Sequence, residues 1–276
     1  MLPRGYRRVP EECPMSLESL KFSLEDGVAR ITLAQPDRGN PLDAALCWDL
    51  RRVAEDCAQR SNLRAVLIDA EGRYFSVGGD LKLLTRDRGA MPALVAGMLA
   101  DLGAAVSILA RLDAPAVACV HGLAAGGAVG LLSGCDFVLA GPEVRFVAAF
   151  GGIGVTGDTG CSYHLPRRVG MRRATEFLLL NESWDAPTAF EHGLVNRIVP
   201  ADALADEALR LARTLAGGPT RGHGETRRLL GRSLSNTLDE QLALEAAAIG
   251  RLLRTDDSWN AMQAVLAKRQ PHFEGR

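Results

Sequence analysis

Alternation of apolar and polar positions begins at Leu20. Leu20-Lys21-Phe22-Ser23-Leu24 and Val28-Ala29-Arg30-Ile31-Thr32-Leu33 flank Glu25-Asp26-Gly27, and alternating runs about an Asp-Gly turn predict a β-hairpin. Gln35 to Pro41 reads as a polar loop with two prolines, after which Asp43 is placed to cap an amphipathic helix carrying Leu46, Leu50, Val53 and Cys57. Ala65-Val66-Leu67-Ile68 suits a buried strand. A glycine-rich loop follows over 71–81, then a helix over about 92–112 and a second buried strand, Ala116-Val117-Ala118-Cys119-Val120. A second glycine loop, 122–130, opens a small-residue helix that ends before the apolar run 135–140. Strands alternating with helices predict an α/β core. Beyond residue 201 only helical patterns remain, over 203–215, 221–230, 236–253 and 258–268. The expected layout is a disordered leader at 1–15, with Met15 as an alternative start, a core over 16–200 and a helical region over 201–276.

Composition narrows the function classes. The 276 residues carry 32 Lys and Arg against 33 Asp and Glu, a formal net charge of −1, which gives no electrostatic case for nucleic acid or an anionic membrane as a partner. Glycines and charges interrupt every apolar run, so no membrane-spanning segment is expected. The basic start, Arg4, Arg7 and Arg8, has no apolar segment behind it and is not a secretory signal. Six cysteines (13, 47, 57, 119, 135, 161) form no Cys-x-x-Cys pair and sit mostly in apolar segments, the usage of buried thiols in a reducing compartment; a cytoplasmic location is expected. The five histidines show no metal-ligand spacing.

The chemistry-bearing signal is the pair of glycine loops. Each follows a buried strand, and one such loop alone is a tight turn. Two of them after neighbouring strands place free backbone N–H groups at one sheet edge, as an oxyanion hole requires, and a helix opening at Gly126-Gly127 adds its positive dipole end. A dinucleotide fingerprint is a poor rival: Ala125 stands where the first glycine of G-x-G-x-x-G belongs, and no acidic residue ends a strand some twenty residues on.

In order and spacing, Phe75-Ser76-Val77-Gly78-Gly79-Asp80-Leu81, His121-Gly122-Leu123-Ala124-Ala125-Gly126-Gly127, Asp136, Leu165-Pro166-Arg167-Arg168-Val169-Gly170 and Ala189-Phe190-Glu191-His192-Gly193-Leu194-Val195 resemble the crotonase (enoyl-CoA hydratase/isomerase) superfamily. The resemblance runs from Leu20 to the C-terminus. It implies a spiral of ββα units, a homotrimer or hexamer assembled through the C-terminal helices, and an acyl-CoA substrate with no separate cofactor. It implies that the N–H groups of Gly79 and Gly127 bind the thioester carbonyl and that Gly79-Asp80-Leu81-Lys82 lines the adenine and pantetheine path, with Asp80 structural. Arg38 and Lys268 are implied phosphate contacts, Lys268 from a neighbouring subunit, and the loop around 83–91 sets the acyl chain.

Hydratases of this superfamily use two glutamates, and the corresponding positions here are Gly130 and Phe150, neither of which moves a proton. The segment from Ile153 to Pro166 is similar to isomerases that carry an aspartate in a Pro-Asp-x-Gly-Gly turn. Asp158 matches that aspartate, with Gly157 in place of the proline and Cys161 in place of the second glycine. One carboxylate suffices for a double-bond shift, provided an apolar pocket raises its pKa, for which Phe146, Phe150 and Val155 are available. Asp158 could instead cap the helix beginning near Thr159; Ser162, Tyr163 and His164 are expected to pack locally. The expected function is an enoyl-CoA isomerase, with a hydratase of altered acid/base set or a silent acyl-CoA binder as alternatives.

Overall fold

The computed structural model describes residues 16–276; the expected leader, with Cys13 and Met15, lies outside them. The chain opens with the hairpin β1 (Leu20–Glu25) and β2 (Val28–Leu33). Asp26 and Gly27 both take positive φ, 50° and 77°, as a two-residue turn matched to strand twist demands. Helix α1 (Ala44–Gln59) starts where expected, the Asp43 carboxylate accepting from the Leu46 N–H at 2.9 Å. Strand β3 (Ala65–Ala70), the short α2 (Leu81–Leu84) and the long α3 (Met91–Arg111) follow. Next come β4 (Ala116–Val120), β5 (Leu123–Ala125), α4 (Gly127–Gly134), β6 (Phe137–Ala140) and β7 (Arg145–Val147). Helices α5 (Cys161–Val169) and α6 (Met171–Leu179), strand β8 (Ser183–Asp185), α7 (Ala186–Glu191) and β9 (Arg197–Ile198) complete the α/β part. The chain ends in α8 (Leu204–Ala216), α9 (Thr220–Arg232), α10 (Leu238–Leu252) and α11 (Asp256–Leu266).

Two sheets organise these elements. The larger runs β1-β2-β3-β4-β6-β9, antiparallel only at the hairpin, and the smaller runs β5-β7-β8. Consecutive strands β4 and β5, then β6 and β7, part into different sheets before a helix returns the chain, which is the ββα spiral. One face of the larger sheet, with Ile31, Val66, Ile68 and Ala118, packs in a core with α1 and α3; the other, with Ala65, Leu67, Val117 and Leu139, is covered by Ala208 and Ala212 of α8. The small strands β5, β7, β8 and β9 carry no alternation long enough to read in the sequence.

The expectation about membrane spans needs correction: α3 is long and apolar enough to cross a bilayer by length and composition. Its environment is that of a core helix. Met98, Leu102, Val106 and Leu109 are buried in the main core, and mid-helix Asp101 accepts from Arg51 of α1 at 2.9 Å.

Charges tie the C-terminal helices together. Arg227 of α9 pairs with Asp136 at 2.8 Å and also donates to the carbonyls of Ala114 and Leu109, occupying the end of α3. Arg251 of α10 grips Glu225 of α9 through two bonds, 2.8 and 2.9 Å. Hydrogen bonding from Arg251, which outweighs the upward push of burial, lowers the Glu225 pKa from 4.5 to about 2. A carboxylate whose pKa falls on folding contributes stability above its unfolded value and loses it as pH drops toward the folded one. Acid titration from pH 4.5 to about 2 is therefore expected to remove this contribution, on the order of 1–2 kcal/mol once screening at the exposed Arg251 is allowed for. Scanning calorimetry of wild type beside Glu225→Gln checks it: the variant should melt lower at neutral pH and converge with wild type near pH 2. Parallel curves would refute the assignment.

Candidate active site

The two glycine loops lie side by side. Phe75 N–H donates to the His121 carbonyl at 3.1 Å, Ser76 N–H to Leu123 at 3.0 Å and Ala125 N–H to Ser76 at 3.0 Å. At Gly78, φ is 81° and a side chain would meet the Ala125 carbonyl oxygen at 2.8 Å, so the loops touch backbone to backbone. A third segment joins them, Leu42 N–H donating to the Gly78 carbonyl at 2.8 Å and Val77 N–H to Gly39 at 2.9 Å. Buried Asn40 fixes that segment, its amide donating to the carbonyls of Glu71 and Tyr74, both at 2.9 Å.

Gly79 and Gly127 therefore come to one edge, each one or two residues past the paired stretch. Gly127 is the first residue of α4, after Gly126 with φ 55°, and a helix's first N–H has no acceptor within the helix. Among the described residues no acceptor takes the Gly79 N–H either. Two donors are thus free beside a helix start.

Asp158 arrives at the same place from the turn before α5. A Cβ added to Gly127 would lie 2.9 Å from Asp158 Oδ1, 2.7 Å from Thr159 Oγ1 and 2.8 Å from Leu42 Cδ1, so the carboxylate rests against the Gly127 backbone. Thr159 Oγ1 donates to Asp158 Oδ1 at 2.8 Å. The capping role does not materialise: α5 begins at Cys161 behind Gly160, no side chain caps it, and it is the Asp158 carbonyl that takes the Cys161 N–H, at 2.7 Å. Burial raises the Asp158 pKa, with the Thr159 hydrogen bond acting against it. The thiols of Cys47 and Cys161, which feel its charge, are pushed by burial to about 12 and stay neutral.

The expected apolar walls are met in part. Phe150 is buried and its ring lies 3.8 and 3.7 Å from the Cβ positions of Gly126 and Gly157. Phe146 is core on β7, opposite Trp184. Val155 is 52% exposed and forms no wall, because the turn after Gly154 carries it outward. Ser162 and Tyr163 are exposed, Tyr163 with its ring under Arg167, and burial lowers the pKa of His164.

Gly130, one turn after Gly127, faces the same turn. A Cβ there would meet the carbonyl oxygens of Asp158 and Thr159, both at 2.9 Å. Gly127 and Gly130 thus form a groove on α4 in which residues 158–159 lie, and no side chain fits at either position without displacing them.

The remaining candidates divide. Asp80 caps α2 through the Leu83 N–H at 3.1 Å; burial would raise its pKa, but hydrogen bonds from Leu83 and Arg38 bring it down. Arg38 is not free for a phosphate: its guanidinium bridges Asp43 at 2.7 Å and Asp80 at 2.5 Å, a cluster with one more negative than positive charge. Leu81 and Lys82 are exposed on α2 beside Gly79. Lys268 is exposed just past α11, with φ 53°. Asn40, Leu42 and Thr159 escaped the sequence reading; only the placement of Thr159 after Asp158 hinted at a role. Among the described residues no cluster of His, Cys, Asp and Glu could hold a metal.

A family model described as enoyl-CoA hydratase/isomerase matches residues 23–276. The chain is 34% identical to the 1,2-epoxyphenylacetyl-CoA isomerase of Escherichia coli over 268 residues, covering 94% of this chain and all of the relative. A Mycobacterium abscessus protein that carries the name enoyl-CoA hydratase/isomerase superposes with a TM-score of 0.88 at 35% identity, over 93% of this chain and 100% of that one. An enoyl-CoA hydratase from Polaromonas sp. JS666 gives 0.86 at 29% identity, over 92% and 99%.

Proposed function

This chain belongs to the enoyl-CoA hydratase/isomerase family, whose members act on CoA thioesters, and on that premise we propose that it is an isomerase moving an enoyl-CoA double bond from position 3 to position 2. One observation carries the proposal: the partly buried carboxylate of Asp158 stands against Gly127, while the positions at which the family resemblance implies the two hydratase glutamates hold Gly130 and Phe150. The thioester carbonyl accepts from the N–H groups of Gly79 and Gly127. Asp158 takes a proton from C2, the dienolate is held by those two donors, and the same carboxyl returns the proton to C4. The double bond ends between C2 and C3 and the carbonyl is restored. A base whose pKa burial has raised is better matched to both transfers.

In this proposal Leu81 and Lys82 line the path of adenine and pantetheine, and Lys268 serves a neighbouring subunit's CoA phosphates. Arg38, committed to two carboxylates, instead clamps the Asp80 loop to the start of α1. A hydratase with Asp158 in an altered role is the second reading, since relatives bear both names. The test is incubation with a 3-enoyl-CoA and a 2-enoyl-CoA, with products resolved by mass and retention. Conversion of the first at unchanged mass supports the isomerase; gain of one water moves the answer to hydratase; binding without turnover leaves a silent acyl-CoA binder.

We also propose a homotrimer, or a dimer of trimers, built through the C-terminal helices. Leu238, Leu242 and Ile249 of α10 and Leu253 just past its end lie at helical spacing and are 51–72% exposed, and Trp259, Met262 and Leu266 of α11 are likewise spaced and 42–78% exposed. Apolar stripes of this extent seek cover. Light scattering after size exclusion should give three or six times 29.5 kDa; a monomeric mass would refute it.

A further inference from the structure

Two residues other than glycine sit in left-handed backbone beside the second glycine loop: Thr159 with φ 53° and Ala149 with φ 63°. Ala149 lies near Gly126, its Cβ 3.9 Å from where one would stand on that glycine. For Thr159 the conformation is costly, because a β-branched side chain crowds its own backbone there. Strain of this kind persists only where its surroundings impose it, and it concentrates at functional sites. Thr159 is buried, at 6% exposure. Its backbone carbonyl is wedged against Gly130 and its hydroxyl against Gly127, the two glycines that leave room for it on α4.

We propose that Thr159 is the positioning residue for Asp158: the strained backbone aims its hydroxyl at Oδ1 and so fixes the carboxylate plane against Gly127. The inference rests on Asp158 being the base of the isomerase proposed above. Thr159 Oγ1 donates to Oδ1 at 2.8 Å, and no other side chain donates to this carboxylate among the described residues. One oxygen is thereby anchored and the other is left to take and return the substrate proton. An unanchored carboxylate would rotate about its terminal bond, which has broad minima, and spend most of its time off the productive direction.

The hydroxyl also tunes the base. Burial drives the Asp158 pKa up and the Thr159 hydrogen bond restrains it. The other titratable groups that feel Asp158 are the thiols of Cys47 on α1 and Cys161 on α5, both pushed to about 12. They remain neutral across the working range. His164, packed against Gly160 of the same turn and held below its usual value by burial, also titrates on the acidic side, so it is the difference between wild type and the donorless variant, not the limb itself, that reports the aspartate.

The test is the pH profile of kcat and kcat/KM on a 3-enoyl-CoA for wild type, Thr159→Val, Thr159→Ser and Asp158→Asn. Valine keeps the branched shape and removes the donor; it should lower kcat about tenfold, leave KM within about twofold and move the acidic limb upward by about half a unit or more. Serine keeps the donor and should restore both. Should valine fail to fold, Thr159→Ala removes the same hydroxyl and relieves the crowding at this φ. Wild-type kcat and limb in the donorless variant, with Asp158→Asn inactive, overturn the positioning role alone. A serine variant as impaired as valine does the same, since the methyl would then be what matters. Turnover surviving in Asp158→Asn overturns the parent proposal and this one with it.

Discussion

Replacing Asp158 by Asn is expected to lower kcat for the double-bond shift by roughly three orders of magnitude while acyl-CoA binding stays within a few fold of wild type. The asymmetry follows from the geometry. Asparagine has the same shape, and its side-chain oxygen can still accept from Thr159 Oγ1, which meets Oδ1 at 2.8 Å in the wild type. The donors proposed for the thioester, Gly79 and Gly127, are backbone groups and are untouched. Only the capacity to take a proton disappears. Stability should move the other way. Burial raises the Asp158 pKa, so the folded protein holds that proton more tightly than the unfolded chain does. The stability linked to the proton is full below the unfolded value and is lost as pH rises through the folded one, so at neutral pH the ionised carboxylate destabilises the fold. The neutral amide escapes this cost, and the variant should melt higher than wild type at pH 7 and no higher at pH 3. Stopped assays with mass detection, together with calorimetry at the two pH values, check both halves. An Asn variant turning over at more than a tenth of the wild-type rate would remove Asp158 from the chemistry.

Most of what could be read from the sequence was local. The Asp26-Gly27 turn, the Asp43 cap and the four C-terminal helices depend on neighbours within a few residues, and their boundaries agree with the structure to within about two or three residues. Strands β5, β7, β8 and β9 have two or three residues each, too few for a period-two pattern, and exist because a neighbour in space completes them. The same distinction applies at the site. That two glycine loops end at one edge follows from the strand order, which an alternating α/β pattern suggests. That Asp158 rests on Gly127, thirty-one residues earlier, does not follow from any spacing; resemblance supplied it. Arg38 shows the converse. The resemblance implied it as a phosphate contact, and no spacing in the sequence shows that Asp43 and Asp80 engage its guanidinium. Thr159 was invisible for a third reason. Its importance lies in a backbone conformation its own side chain disfavours, and propensity cannot predict a position where tertiary structure overrides it.

Gly130 gives the sharpest consequence of that packing. Since the family resemblance implies a hydratase glutamate at this position, Gly130→Glu is the obvious attempt to install hydration, and it is expected to give no hydratase and to destroy isomerisation. A Cβ at 130 would stand 2.9 Å from two carbonyl oxygens, those of Asp158 and Thr159, and 3.0 Å from the Thr159 Cβ. These are not flexible ends that can swing away but the backbone of the turn that carries the base. Overpacking of this kind costs about 1–3 kcal/mol, and a carboxylate forced against carbonyl oxygens adds electrostatic repulsion. The turn must shift, carrying Asp158 off Gly127, so the melting temperature should fall by about 5–10 °C and the isomerase rate by about a hundredfold. Gly130→Ala isolates the steric part: it adds only the clashing Cβ and should lose much of the rate with a smaller drop in melting temperature. A base at 158 seated in the groove of α4 and a side chain as large as glutamate at 130 are then alternatives that this backbone cannot hold together. A Gly130→Glu protein that melts with wild type and adds water to a 2-enoyl-CoA would show that the turn yields, and with it the claim that the groove defines the chemistry would fall.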